Sequence, residues 1–89
     1  LEKPIQIGSI VFSRAGRDAG KFFIVVEIVD DKFVRIADGR MRPLSRPKLK
    51  KIKHLKATGD IHEKLREKLL NGSVVYDAEI NSVIRKYNS

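Results

Sequence analysis

Residues 21–29 read KFFIVVEIV, a β-branched and aromatic run broken only by Glu27. Side chains of this kind are stiff at χ1 and fit a pleated surface, so the run predicts a strand. With a period of two, Phe22, Ile24, Val26 and Ile28 share one face. Phe23, Val25, Glu27 and Val29 share the other, which Glu27 marks as partly wet. A strand needs partners, and the flanking sequence offers them as short runs between turn signals. Gly8-Ser9-Ile10-Val11-Phe12-Ser13 is one, with its buried face left open by three consecutive apolar residues. A loop follows at 14–20, where glycines allow positive φ. Asp30-Asp31-Lys32 is a tight turn. Phe33 to Ala37 is a strand with Val34 and Ile36 inward and Phe33 and Arg35 outward. Asp38-Gly39 is a hairpin signal. Arg40 to Leu44 is a short run, and Lys51 to Leu55 is a candidate closing strand. Four or five short antiparallel strands are expected to curl into a small barrel that hides their edges. Residues 7–56 are therefore read as a single β domain.

At Thr58-Gly59-Asp60 the period changes. Asp60 followed by Glu63 fits a helix cap and capping box. Ile61, Leu65 and Leu69 then recur with helical spacing until Asn71-Gly72 ends the helix. Asp77 can cap a second helix whose apolar face is Ile80, Val83, Ile84 and Tyr87. Both helices are short and marginal alone. Residues 57–89 are expected to form a helical extension packed on the barrel. It would cover Phe23 or Phe33 rather than read nucleic acid. Phe12 and Phe22 are core candidates.

The charge is unevenly placed. Residues 46–56 read RPKLKKIKHLK, with six cations and no anion. All of the net charge of +8 lies in residues 1–56, while residues 57–89 are neutral. Such a half-chain asymmetry points to a polyanion, most simply nucleic acid. Leu49, Ile52 and Leu55 interrupt the run, so part of it is expected to pack. There is no cysteine, which removes disulfides and thiolate metal sites and fits a cytoplasmic setting. No window approaches the roughly 18 apolar residues of a membrane span. The opening LEKPIQIG carries no signal-peptide pattern. His54 and His62 lack enough neighbouring ligands for a metal site. Asp30-Asp31 reads as a turn rather than a catalytic pair. No phosphate-loop, dinucleotide or zinc-protease motif is present. The expectation is a non-enzyme without cofactor or metal.

The ordered set Gly8-Ser9-Ile10-Val11, Ala15-Gly16-Arg17-Asp18-Ala19-Gly20-Lys21, Ile24-Val25-Val26-Glu27-Ile28-Val29-Asp30, Ala37-Asp38-Gly39 and Lys50-Lys51-Ile52-Lys53-His54-Leu55 resembles a KOW-motif domain. It resembles more closely the L14e family of ribosomal proteins, and the whole chain resembles the small bacterial L14e-like RNA-binding proteins. The resemblance implies an SH3-like barrel, RNA binding and ribosomal association. In the family pattern Gly20 is the central glycine and Lys21 the basic residue after it. Many KOW segments carry a second glycine where this chain has Phe22-Phe23, a departure that agrees with the L14e-like variant. The fold class expected is thus mainly β, an SH3-like barrel of KOW type followed by two short C-terminal helices.

Two basic surfaces follow. Arg14, Arg17 and Lys21 surround a glycine loop whose N–H groups suit phosphates, although Asp18 cancels one charge. Arg40, Arg42, Arg46, Lys48, Lys50, Lys51 and Lys53 form the second. Gly8, Gly16, Gly20, Asp38 and Gly39 are read as structural. The expected partner is structured RNA, by the resemblance ribosomal RNA, with ribosomal proteins as further partners, no membrane, and a monomeric state. The competing readings are a protein-interaction adaptor, which would expose an apolar patch on Ile61, Leu65, Leu69, Ile80 and Ile84, and a DNA-binding or transcription-elongation factor.

Overall fold

The computed structural model describes residues 4–89. Five strands, β1 (Ser9–Ser13), β2 (Phe22–Ile28), β3 (Phe33–Ala37), β4 (Lys48–Lys51) and β5 (Leu55–Ile61), precede two helices, α1 (Glu63–Asn71) and α2 (Asp77–Asn88). A 3-10 turn at Ile52–His54 joins β4 to β5. All pairings are antiparallel, in the order β4-β3-β2-β1-β5.

The expected barrel is not formed. The sheet is open, with β4 and β5 at its two edges and no ladder between them. The expectation assumed that edges must be hidden by closure. Here they are handled in other ways. β4 has only four residues and exposes Lys48 and Lys51, and short, lysine-bearing edges resist pairing with other chains. The helices then cover one face, so closure is not needed to bury it.

Both faces of the central strands are dry, which explains why Ile10, Val11 and Phe12 gave no clear period. Ile10 and Ile24 pack with Leu65 of α1 and with Ile80 and Ile84 of α2. Phe22, Val26 and Tyr87 border this cluster, and Phe22 stacks edge-on to Phe12 with ring centroids 5.0 Å apart. On the opposite face, Val11, Phe23, Val25, Val34, Ile36 and Leu55 form a second cluster, capped by Ile5 and by Ile52 of the 3-10 turn. The helices therefore dock on the side away from Phe23. That ring is 1% exposed because its own sheet face buries it, and Phe33 is only half-buried.

Local irregularities reset the faces. Val25 pairs with Ile36 but Glu27 pairs with Arg35, so Val26 is an extra residue on β2. Beyond that bulge Ile28 sits opposite Val34 and is 41% exposed, off the face expected from strict alternation. Thr58-Gly59-Asp60, read as the end of the β region, lies inside β5, whose ladder with β1 slips by two residues between Ser9 and Val11. Thr58 Oγ1 donates to the Ile10 carbonyl there (2.8 Å). His62, not Asp60, caps α1, its Nδ1 accepting from the Leu65 N–H at 3.2 Å. Asp60 instead accepts from the Tyr87 hydroxyl (2.8 Å) and ties α2 to β5. Partial burial, and then this hydrogen bond, push the Tyr87 phenol above its ordinary pKa.

Candidate nucleic-acid interface

The glycine loop and the basic segment meet. The loop at 14–21 lies along residues 40–54 and is tied to them by five contacts. The Arg14 guanidinium donates to the Lys53 carbonyl (2.9 Å) and the Arg14 N–H to the His54 carbonyl (2.9 Å). Lys50 Nζ donates to the Ala15 carbonyl at 2.7 Å. Arg42 forms a bidentate ion pair with Asp18, with contacts of 3.2–3.3 Å. Lys21 Nζ lies 3.7 Å from the Met41 sulfur. The loop itself is closed by Gly20 N–H to the Ser13 carbonyl and Ser13 N–H to the Lys21 carbonyl. Its shape is thus set by β1 and β2, and its position by the segment after β3.

The ten expected contact residues do not behave alike. Arg17, Lys21, Arg40, Arg46, Lys48, Lys51 and Lys53 are exposed, as is Arg14 beyond its one tie to the backbone. Lys50 is not available: it is 7% exposed, with its ammonium turned under the loop. Gly16 has φ +82°, a conformation that favours glycine, and a Cβ on it would stand 3.0 Å from Lys50 Nζ, which would have to give slightly. Arg42 is committed to Asp18, whose side chain is 9% exposed. A half-buried pair of this geometry fixes position more than it adds stability. The charge that Asp18 cancels is thus that of Arg42, and not that of Arg14, Arg17 or Lys21.

Asp38 and Gly39 form a turn rather than a hairpin, and Arg40 to Leu44 is not a strand. Asp38 is 8% exposed, and its carboxylate accepts from the N–H groups of Arg40 (2.8 Å) and Arg42 (2.9 Å). This Asx-type turn presents Arg40 outward. Gly39 has φ +76° and touches α2 so closely that an added Cβ would stand 2.2 Å from the Asp77 carbonyl oxygen. Gly8 similarly packs against Arg66, which donates to the Ile7 carbonyl (2.8 Å).

A second group joins the expected Lys51 and Lys53 to Lys32, which escaped the sequence reading. Phe33 and Ile52 form the floor of a groove walled by Asp31, Lys32, Lys51 and Lys53. An aromatic floor framed by three lysines can stack an unpaired base while the cations hold its phosphates. Lys32 was passed over because it lies in a turn with two aspartates, outside the basic run. Asp30 in that turn is occupied with the N–H groups of Lys32 and Phe33 (2.8 Å each).

Among the described residues no three His, Cys, Asp or Glu side chains lie together as metal ligands, and no helix is long and apolar enough to cross a membrane. No protein-family model matches the chain. The chain is similar to the large ribosomal subunit protein eL14 of Desulfurococcus amylolyticus, with 39% identity over 54 residues. The match covers 61% of this chain and 56% of the relative, so the chain spans about half the length of the curated protein it matches.

Proposed function

We propose that this protein is a non-catalytic, cytoplasmic RNA-binding component associated with the ribosome. It grips the phosphates of structured RNA with the face formed by Arg14, Arg17 and Lys21 on the loop and by Arg40, Arg46, Lys48, Lys51 and Lys53 beside it. The observation that supports this reading most is the fixing of the glycine loop along the 40–53 segment, which brings the two basic stretches next to each other. Arg42 and Lys50, expected among the contacts, serve as the internal fastenings of that surface. The similarity to a large-subunit ribosomal protein supports RNA over DNA and an RNA-bound role over an enzymatic one. Residues 9–61 act in this reading as the RNA-binding sheet and 62–89 as the helical layer that backs it. The adaptor reading loses its motive, since Leu65, Ile80 and Ile84 face inward.

The test is a titration of a large-subunit ribosomal RNA fragment over a range of salt. A footprint of about five phosphates predicts a loss of roughly two to three orders of magnitude in affinity between 50 and 200 mM salt. The double variant Lys51→Glu, Lys53→Glu, verified as folded, should bind far more weakly. No binding at low salt, or no change in the folded double variant, overturns the proposal.

A further inference from the structure

The basic face ends in a groove of about 450 Å³ between the end of the glycine loop, the Asp38 turn and the last half of α2. Lys21, Arg40 and Arg85 line it, together with Met41, Asn81 and Asn88. Two clamps hold its walls. The Asn88 amide bonds both backbone groups of Phe22, accepting from its N–H at 2.8 Å and donating to its carbonyl at 3.3 Å. This fixes the helix one residue from Lys21. The Asn81 amide donates to the Asp38 carbonyl (3.3 Å), two residues from Arg40. Among the described residues Asp38 is the one acidic side chain on the walls, and it is spent on backbone N–H groups; the backbone end at Ser89 also lines the groove. Among the described residues neither Arg40 nor Arg85 has an ion-pair partner. Three cationic side chains therefore share one concave space with no unengaged acidic side chain, an arrangement that a bound anion relieves. At the rim stands Met41, 65% exposed and beside Lys21. A lone exposed thioether is a soft apolar surface able to pack on a ring.

Resting on the RNA-binding reading, we propose that this groove takes one nucleotide of an RNA strand. Lys21, Arg40 and Arg85 hold its phosphodiester, and Met41 packs against its sugar or base. The C-terminal helix is then part of the RNA interface as well as the cover of the sheet.

Arg85 and its neighbour Lys86 are both exposed cations on α2, but only Arg85 lines the groove. Arg85→Ala and Lys86→Ala therefore change net charge and helix composition almost identically. With the ribosomal RNA fragment as probe, R85A should weaken binding about tenfold near 0.1 M salt and lower the salt slope by about one. K86A should stay within about twofold. Met41 is the only methionine, so its methyl resonance in the labelled protein is a single reporter of the groove and should shift when RNA is added. Equal effects of R85A and K86A, or an unmoved methyl signal in a complex that forms, overturn the groove while leaving RNA binding intact. Failure of the unmodified protein to bind at low salt removes the RNA reading, and the groove with it.

Discussion

Gly39→Ala is the substitution whose effect the structure defines most sharply. Two penalties are superposed at this position, and Gly20→Ala separates them. Both glycines have positive φ, +76° and +87°. Holding alanine in that region costs about 1–2 kcal/mol. At Gly20 nothing lies within 4 Å of the added methyl, so that is the whole expected effect. At Gly39 the methyl would stand 2.2 Å from the Asp77 carbonyl oxygen and 2.7 Å from the Asn81 nitrogen. These are backbone atoms of α2, so relief requires the helix to lift. Ile80 and Ile84, 0% and 1% exposed, are seated by that contact. Full burial of each stabilises by roughly 1.5–3 kcal/mol, so losing a third to a half of it adds about 1–3 kcal/mol. G39A should then cost about 2–5 kcal/mol, a large part of the roughly 4–13 kcal/mol expected for a domain of this size. Urea unfolding followed by far-ultraviolet circular dichroism measures the difference. With a slope near 1.5 kcal/mol/M, the G39A midpoint should fall by roughly 1–3 M and the G20A midpoint by about 1 M or less. Coincident midpoints for the two variants would refute the claim that the turn seats α2.

Lys50 and Lys51 should separate structure from binding. Lys50→Met should lower stability by roughly 1–2 kcal/mol through the lost bond to Ala15 and leave the salt slope of RNA binding unchanged, whereas Lys51→Met should lower that slope by about one with stability intact; the reverse pattern would reverse their roles. Glu79 has its pKa held below the ordinary 4.5 by its hydrogen bond to Lys68 and then by the Tyr76 N–H. A lowered folded-state value means that its contribution is complete above 4.5 and is lost as pH falls through the lowered value. The stability advantage of the natural protein over Glu79→Gln should therefore shrink between pH 7 and pH 3, as read from urea midpoints, and a constant gap would contradict the linkage.

The strands at Ser9–Ser13, Phe22–Ile28 and Phe33–Ala37 were legible because β-branched and aromatic runs end at strong turn signals. The α1 terminus at Asn71-Gly72 and the inward stripe of Ile80 and Ile84 were legible because caps and helical spacing are local. The sheet's openness was not, since closure depends on how the edge strands meet in space. The 3-10 turn after Lys51 has no local signature in a run of alternating lysines and apolar residues. Gly59 inside β5 looked like a boundary because a glycine that permits a register slip and one that ends an element read alike. Within the basic run nothing distinguishes Lys50, drawn under the loop, from Lys48 or Lys51 beside it. Arg85, proposed as a groove residue, was invisible for a different reason: it sits in a charge-neutral stretch, and only the packing of α2 brings it to the groove that Lys21 and Arg40 line.

The lysines of the β4 edge have a consequence apart from the recognition proposed for them. In the free protein, mutual repulsion keeps that row of unpaired backbone groups from adding a strand of another molecule. Under the proposed RNA binding the same charges would be neutralised, and the ligand lying across them would take over as the shield. A strand in this position is vulnerable only in between, when polyanion is scarce enough to bridge two copies without covering either. Weakening these lysines would accordingly be felt first as poor solubility, before any change in folding, and on the proposed function a shortage of RNA would aggravate it.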